Sequence, residues 1–207
     1  VNRSDAADRL LAAAEKLYYA RGIHAVGMDD VRAEAGVSLK LLYQLFPSKE
    51  HLVAAYLDAR DERWRGRLAD HVAATGGSAR DQLLAVFDWL GLWFAEPGFR
   101  GCAFINAFGE LGGSAPLVIA VVRRHKGLFR EYLLDLARGL DVPDPAGVAE
   151  QLLLLAEGAM TAAAVLPEPR AARQAHRAAA ALLDAPLPSG PPADAGARRR
   201  ATQSSSA

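Results

Sequence analysis

The stretch LLAAAEKLYYARGIHAVGMDDVRAEAGVSLKLLYQLFPSKEHL, residues 10–52, decides the fold. Leu10, Leu11, Ala14, Leu17 and Tyr18 recur at the i, i+1, i+4, i+7, i+8 spacing that gathers apolar groups on one side of an α-helix, and Gly22 stands where a C-terminal cap belongs. The spacing predicts a first helix over 5–21. Two short elements follow, 28–35 and 38–45, separated by Ala35-Gly36-Val37. Gly36 permits the tight turn and Ser38 caps the helix behind it, so the pair reads as a helix-turn-helix. Pro47-Ser48 then opens a helix running to residue 74, roughly 40 Å at the α-helical rise per residue. A rod of that length connects two domains.

The rest of the chain continues in the same idiom. Of 207 residues, 43 are Ala and 29 are Leu, both strong helix formers, and β-branched residues are few. Prolines at 47, 97, 116, 143, 145, 167 and 169, with glycine spacers at 76–78 and 109–113, divide the sequence into helix-sized intervals. Further helices are predicted over 79–95, 101–109, 115–138, 144–165 and 168–184, giving an all-α protein of about nine helices. From Ala185 onward the composition is Pro, Ala, Gly, Ser and Arg, which predicts a disordered tail over 186–207, with Arg198, Arg199 and Arg200 as a solvated cluster. The expected organisation is a helix-turn-helix domain over 1–47, a larger helical domain over 48–185, and the tail.

Charge and composition exclude several classes. The 24 Lys plus Arg balance 24 Asp plus Glu, and 51% of residues are hydrophobic, which excludes a disordered acidic or basic protein. Residues 1–52 alone carry seven basic and seven acidic side chains, so any nucleic-acid footprint must be local; 36–49, with Lys40 and Lys49 and no acid, supplies one. Cys102 is the single cysteine, which excludes an intramolecular disulfide and fits a reducing compartment, so the chain is read as cytoplasmic. The most apolar stretch, Leu83 to Phe99, is broken by Asp88 and Glu96, and Asp5 and Asp8 precede the first apolar residues. Neither a membrane segment nor a leader is expected. The histidines, 24, 51, 71, 125 and 176, show no paired ligand spacing and are placed at the surface or at caps; no metal or cofactor is expected. No GxSxG, HExxH, phosphate-binding loop or cysteine-histidine arrangement is present, so no enzyme is expected.

Tyr19-Ala20-Arg21-Gly22, Met28-Asp29-Asp30-Val31, Ala35-Gly36-Val37-Ser38, Leu42-Tyr43 and Phe46-Pro47-Ser48-Lys49-Glu50 stand at a joint spacing that resembles the DNA-binding domain of the tetracycline-repressor (TetR) family of bacterial transcription regulators. The resemblance implies that the second helix of the motif enters the major groove of operator DNA. By family position Tyr43 and Lys49 resemble phosphate contacts, beside the positive end of the helix that begins near Ser48. Ser38, Lys40 and Gln44 complete the expected DNA-binding set, Lys40 suited to guanine and Gln44 to adenine. Leu39, Leu41 and Leu45 are apolar where the family usually carries polar residues; they suit thymine methyl groups, not phosphate.

The same resemblance implies a small-molecule site in the second domain. Trp64, Trp89, Trp93, Phe104 and Phe108 concentrate aromatic surface there, and Asn106, Glu110 and Cys102 are the candidate polar anchors, within a segment, Arg100-Gly101-Cys102-Ala103-Phe104-Ile105-Asn106-Ala107, that is similar to a subgroup of such regulators. The expected effector is mainly apolar or aromatic. Gly158, Ala159, Ala162 and Ala163, with Ala171, Ala175, Ala178 and Ala179, allow close helix approach and predict a homodimer through 144–165 and 168–184. The functional expectation is a DNA-binding transcriptional regulator, a repressor released from a palindromic operator by its effector. The alternative is an all-α small-molecule-binding protein or enzyme without sequence-specific DNA binding.

Overall fold

The computed structural model describes residues 2–166 and 170–185. The tail expected over 186–207 lies outside the described residues. Within them the chain forms α1 (Arg3–Arg21), α2 (Met28–Ala35), α3 (Leu39–Leu45), α4 (Lys49–Thr75), α5 (Ala79–Phe94), α6 (Ala103–Leu111), α7 (Pro116–Ala137), α8 (Pro145–Val165) and α9 (Ala171–Asp184), and no strand.

Side-chain caps set most of the helix starts. Asn2 accepts from the Ser4 N–H at α1, Ser38 from Leu41 at α3, Ser48 from His51 at α4 and Ser78 from Asp81 at α5. Pro116 and Pro145 occupy the first positions of α7 and α8, where their missing N–H is harmless. Between α2 and α3 the chain turns at Gly36 in the left-handed region, φ +62° and ψ 39°, a conformation a side chain strains to adopt. Several boundaries differ from the sequence expectation: α1 begins at Arg3 rather than 5, α6 ends at Leu111 rather than 109, and α9 begins at Ala171 rather than 168. The sixth helix begins at Ala103 rather than 101, because Gly101 takes φ +83° and Cys102 is an extended cap. A methyl group on Gly101 would lie 2.9 Å from the Ala164 Cβ, so this bend also lets α8 approach.

Helices α1 to α3 pack on one another, and α4 carries the core onward by packing on α1 at one end and on α5 and α7 beyond. α6 lies on α7, α8 on α7 and α9, and α9 on α5. One contiguous core runs from Leu10, Val31 and Leu42 through Leu52 and Val53 to Trp64, Phe87, Phe129 and Leu152. Arg60 to Glu15 at 2.7 Å, joined by Arg63, ties α4 to α1. Among the described residues α8 is long and apolar enough to cross a bilayer by length and composition, a length of apolar helix the sequence reading did not anticipate. It contains Glu150 and Glu157 and packs against α7 and α9.

Candidate nucleic-acid interface

Helix α3 sorts its seven residues by face. Leu39, Lys40, Tyr43 and Gln44 are exposed, whereas Leu42 is fully buried and Leu41 and Leu45 are half-buried against the core. At about 100° per residue the exposed four sweep a continuous arc of roughly 140°. The three leucines that looked alike in the sequence therefore divide. Leu41 and Leu45 hold α3 down, and Leu39, 46% exposed, lies on the open face with Tyr43, 47% exposed. Ser38 is exposed at the N-terminus of this helix, its hydroxyl accepting from the Leu41 N–H at 3.3 Å. The helix seat is fixed from behind by the Val37 N–H to Arg32 carbonyl bond and by the Lys16–Glu34 ion pair between α1 and α2.

Lys49, the first residue of α4, is half-buried, with its ammonium 5.9 Å from the centroid of the Tyr18 ring. Burial lowers its pKa, and the neighbouring carboxylates of Glu110 and Asp30 oppose that shift. Lys49 thus stands where α1 and α2 meet α6, in the field of Glu110.

Glu110 itself does something the sequence did not reveal. Its carboxylate accepts from the backbone N–H of Ile23 at 3.0 Å and of His24 at 2.7 Å, capping the chain as it leaves α1, and its backbone carbonyl lies 2.8 Å from the His24 ring Nε2. Tyr19 adds a second tie from α1 to this segment, and Glu50 ties α4 to α7. The Tyr19 hydroxyl donates to the Gly101 carbonyl and accepts from the Arg100 N–H, each at 2.8 Å, and Glu50 accepts from the Leu117 N–H at 2.8 Å at the start of α7. Asn106 donates to the Arg100 carbonyl at 3.0 Å and so braces the turn that Tyr19 grips. The Arg100 to Glu110 segment is a clasp between the first helix and the C-terminal bundle.

The aromatic residues gather only in part. Trp64, Trp89, Trp93 and Phe104 are buried in one cluster; the Trp64 ring meets Trp89 at 5.0 Å, Trp93 at 5.7 Å and Phe129 at 5.2 Å. Phe108 is 51% exposed on α6, and Asn106 and Glu110 face the clasp rather than the cluster. The sequence reading expected those three beside the rings. They are set apart because the later start of α6 puts 104 and 107 inward and 106, 108 and 110 on the outer faces. Cys102 is buried, with the Lys126 ammonium 3.5 Å from its Sγ and bonded to both oxygens of Glu157 at 2.7 Å.

His125 is also a correction. Expected at the surface or at a cap, it is 1% exposed, stacked on Phe104 at 3.6 Å between ring centroids, with Nδ1 2.6 Å from the carboxylate of Asp61, itself 2% exposed. Arg65 holds the other side of that carboxylate through two nitrogens at 2.9 to 3.0 Å. Burial pushes the His125 pKa down to about 4, against the raising effect of Asp61. Burial alone would raise Asp61, but hydrogen bonds from Arg65 and His125 outweigh it and the carboxyl titrates below its ordinary range. The signal was present in the sequence. Leu57, Asp61, Trp64 and Leu68 share one helical stripe, as do Val118, Val122, His125 and Phe129, and a polar residue in a core stripe requires a buried partner.

Residues 10–56 match the family model described as bacterial regulatory proteins, tetR family. Over nearly the whole chain the fold is similar to the crystal structure of a TetR-family transcriptional regulator from Streptomyces coelicolor, with 32% identity, a TM-score of 0.80, and coverage of 87% of this chain and 95% of that one. The chain belongs to the TetR family. Two curated relatives match over shorter stretches. The HTH-type transcriptional activator FasR of Mycolicibacterium smegmatis is 46% identical over 55 residues, covering 27% of this chain and 25% of its own length. The HTH-type transcriptional repressor NemR of Escherichia coli is 28% identical over 108 residues, covering 52% of this chain and 54% of its own. The FasR match is about the size of a TetR reading head alone, while the S. coelicolor structure also shares the helices behind it.

Proposed function

We propose that this TetR-family regulator is a cytoplasmic repressor that binds a palindromic operator as a homodimer and is released by a small, mainly apolar or aromatic effector. Residues 1–47 form the reading head and 48–185 the effector and dimerisation unit. The observation that carries this reading is the continuous exposed arc of α3, held by a capped turn and backed by inward leucines. Ser38, Tyr43 and Lys49 contact phosphates, and Lys40 and Gln44 reach base edges. Leu39 suits a thymine methyl group. The inward seating of Leu41 and Leu45 supports this reading over that of a chain that has lost DNA recognition.

Dimerisation is supported by an open apolar groove of about 640 Å³ between α8 and α9, lined by Leu154, Leu155, Gly158, Ala159, Ala162 and Ala175 among others. A two-fold dimer through this face presents two copies of α3 to half-sites one helical turn of DNA, about 34 Å, or a multiple of it apart. For the effector, Trp64, Trp89, Trp93 and Phe104 supply the apolar wall. The experiment is anisotropy titration of the purified chain against intergenic DNA flanking its own gene. Lys49→Ala weakens all sequences alike and lowers the salt slope by about one unit, whereas Gln44→Ala relaxes preference at particular bases. A Lys49→Ala variant that alters base preference, or a chain that retains no flanking DNA above non-specific level, overturns the reading.

A further inference from the structure

Behind the clasp lies a polar cleft of about 460 Å³ whose walls come from both units: Tyr18, Tyr19, Arg21 and Gly22 at the end of α1, and Phe99, Arg100, Asn106 and Glu110 from the α5–α6 turn and α6. Its volume falls within the roughly 300–1,000 Å³ typical of small-molecule sites. It adjoins the aromatic cluster through Phe99, whose ring meets Trp93 at 5.1 Å, but holds different chemistry. Arg21 and Arg100 are exposed, and neither guanidinium has a hydrogen bond or ion pair among the described residues. Against these two cations stands one carboxylate, Glu110, and both of its oxygens are already engaged by the Ile23 and His24 N–H groups. Tyr18, 3% exposed, lines the same cleft, and its hydroxyl has no hydrogen-bond partner among the described residues. That hydroxyl is itself shut off from the cleft, so the open demand for an anion there is that of the two guanidiniums.

We propose that this cleft is a second ligand site, for a small organic carboxylate with a flat apolar body. The carboxylate is held by Arg100 and Arg21, whose planar guanidiniums suit two-point recognition of such a group. Glu110 and the carbonyl-bearing C-terminus of α1 both repel an anion, so the two guanidiniums have to outweigh them. The apolar body lies along Phe99, which is half-buried. Because Arg21 belongs to α1 and Arg100 to the turn before α6, one ligand bridges the reading head and the bundle at the point where Tyr19 and Glu110 already join them.

The inference stands apart from the operator reading, since its test contains no DNA. Sodium benzoate is titrated calorimetrically into the full chain, with benzamide as the uncharged counterpart. The expected result is saturable binding of one benzoate per chain, weakened about tenfold or more by Arg100→Gln and by Arg21→Gln and similarly weakened for benzamide, consistent with a charge-assisted pair. Arg123→Gln, an exposed arginine on α7, leaves it unchanged. No saturable binding up to about 10 mM overturns the proposal, given that such a Kd corresponds to under about 3 kcal/mol. Equal affinity in both cleft variants, or equal affinity for benzamide, overturns it as well.

Discussion

Sealed under Phe104, His125 is neutral near pH 7, with a folded-state pKa of about 4 against an ordinary 6.5. Its linkage to stability has a definite sign. Between those values the unfolded chain binds a proton that the folded chain does not, so stability falls as pH drops from about 6.5 toward 4. Thermal denaturation across that range measures the slope, and His125→Gln should flatten it, whereas wild-type and variant curves of equal slope would refute the assignment. Glu110 makes a second prediction. Glu110→Ala leaves the Ile23 and His24 N–H groups without their carboxylate and should cost about 1–3 kcal/mol, read by chemical denaturation; a value within error of wild type would mean that water replaces the clasp. The two residues were unequally legible. Asp61 and His125 interrupt apolar stripes, a signal that the spacing of the histidines alone, which put His125 at the surface or a cap, overlooks. Glu110 gives no such signal, because its partners lie 86 and 87 residues away and are backbone N–H groups that carry no side-chain signature.

Among the elements, α3 was legible as a helix from Gly36, Ser38 and its matched neighbours, but its rotation was not. Seven residues containing four leucines give no clear apolar stripe, and only the complete burial of Leu42 in the core settles which leucines point inward. A graded test follows. Leu42→Ala removes a fully buried side chain and should destabilise by about 2–5 kcal/mol, whereas Leu39→Ala on the open face should stay within about 0.5 kcal/mol. Similar losses for both in a thermal melt would mean that α3 is rotated. The start of α6 was misplaced by two residues for a related reason: Gly101 reads as a helix-compatible break until the approach of Ala164 is known. Gly101→Ala meets both the positive φ and the 2.9 Å contact, so a loss of about 1–3 kcal/mol is expected by the same measurement. An unchanged melt would show that the bend relaxes freely.

For the whole molecule, the order of helices and the family were readable because helix length, caps and proline spacing are local properties. The clasp and the cleft arise only when α1 meets α6, and no local pattern encodes that meeting. The α8–α9 face was anticipated from its small residues, and the groove there predicts that Ala162→Arg, a bulky charge at its floor, yields monomers at micromolar concentration by sedimentation and loses tight operator binding. A variant that still sediments as a dimer would place the interface elsewhere. The tryptophans offer a last consequence. Trp64, Trp89 and Trp93, all three in the chain, are buried within 6 Å of one another in the ring cluster, and α1 to α3 contain none. Intrinsic ultraviolet emission therefore comes from one spot where α4 meets α5, and excitation is shared among neighbouring indoles. Quenching or a colour shift on adding an oligonucleotide would not report contact with the nucleic acid. It would report that the disturbance had travelled along α4 into the centre of the protein, making the native luminescence a built-in gauge of communication between the two ends.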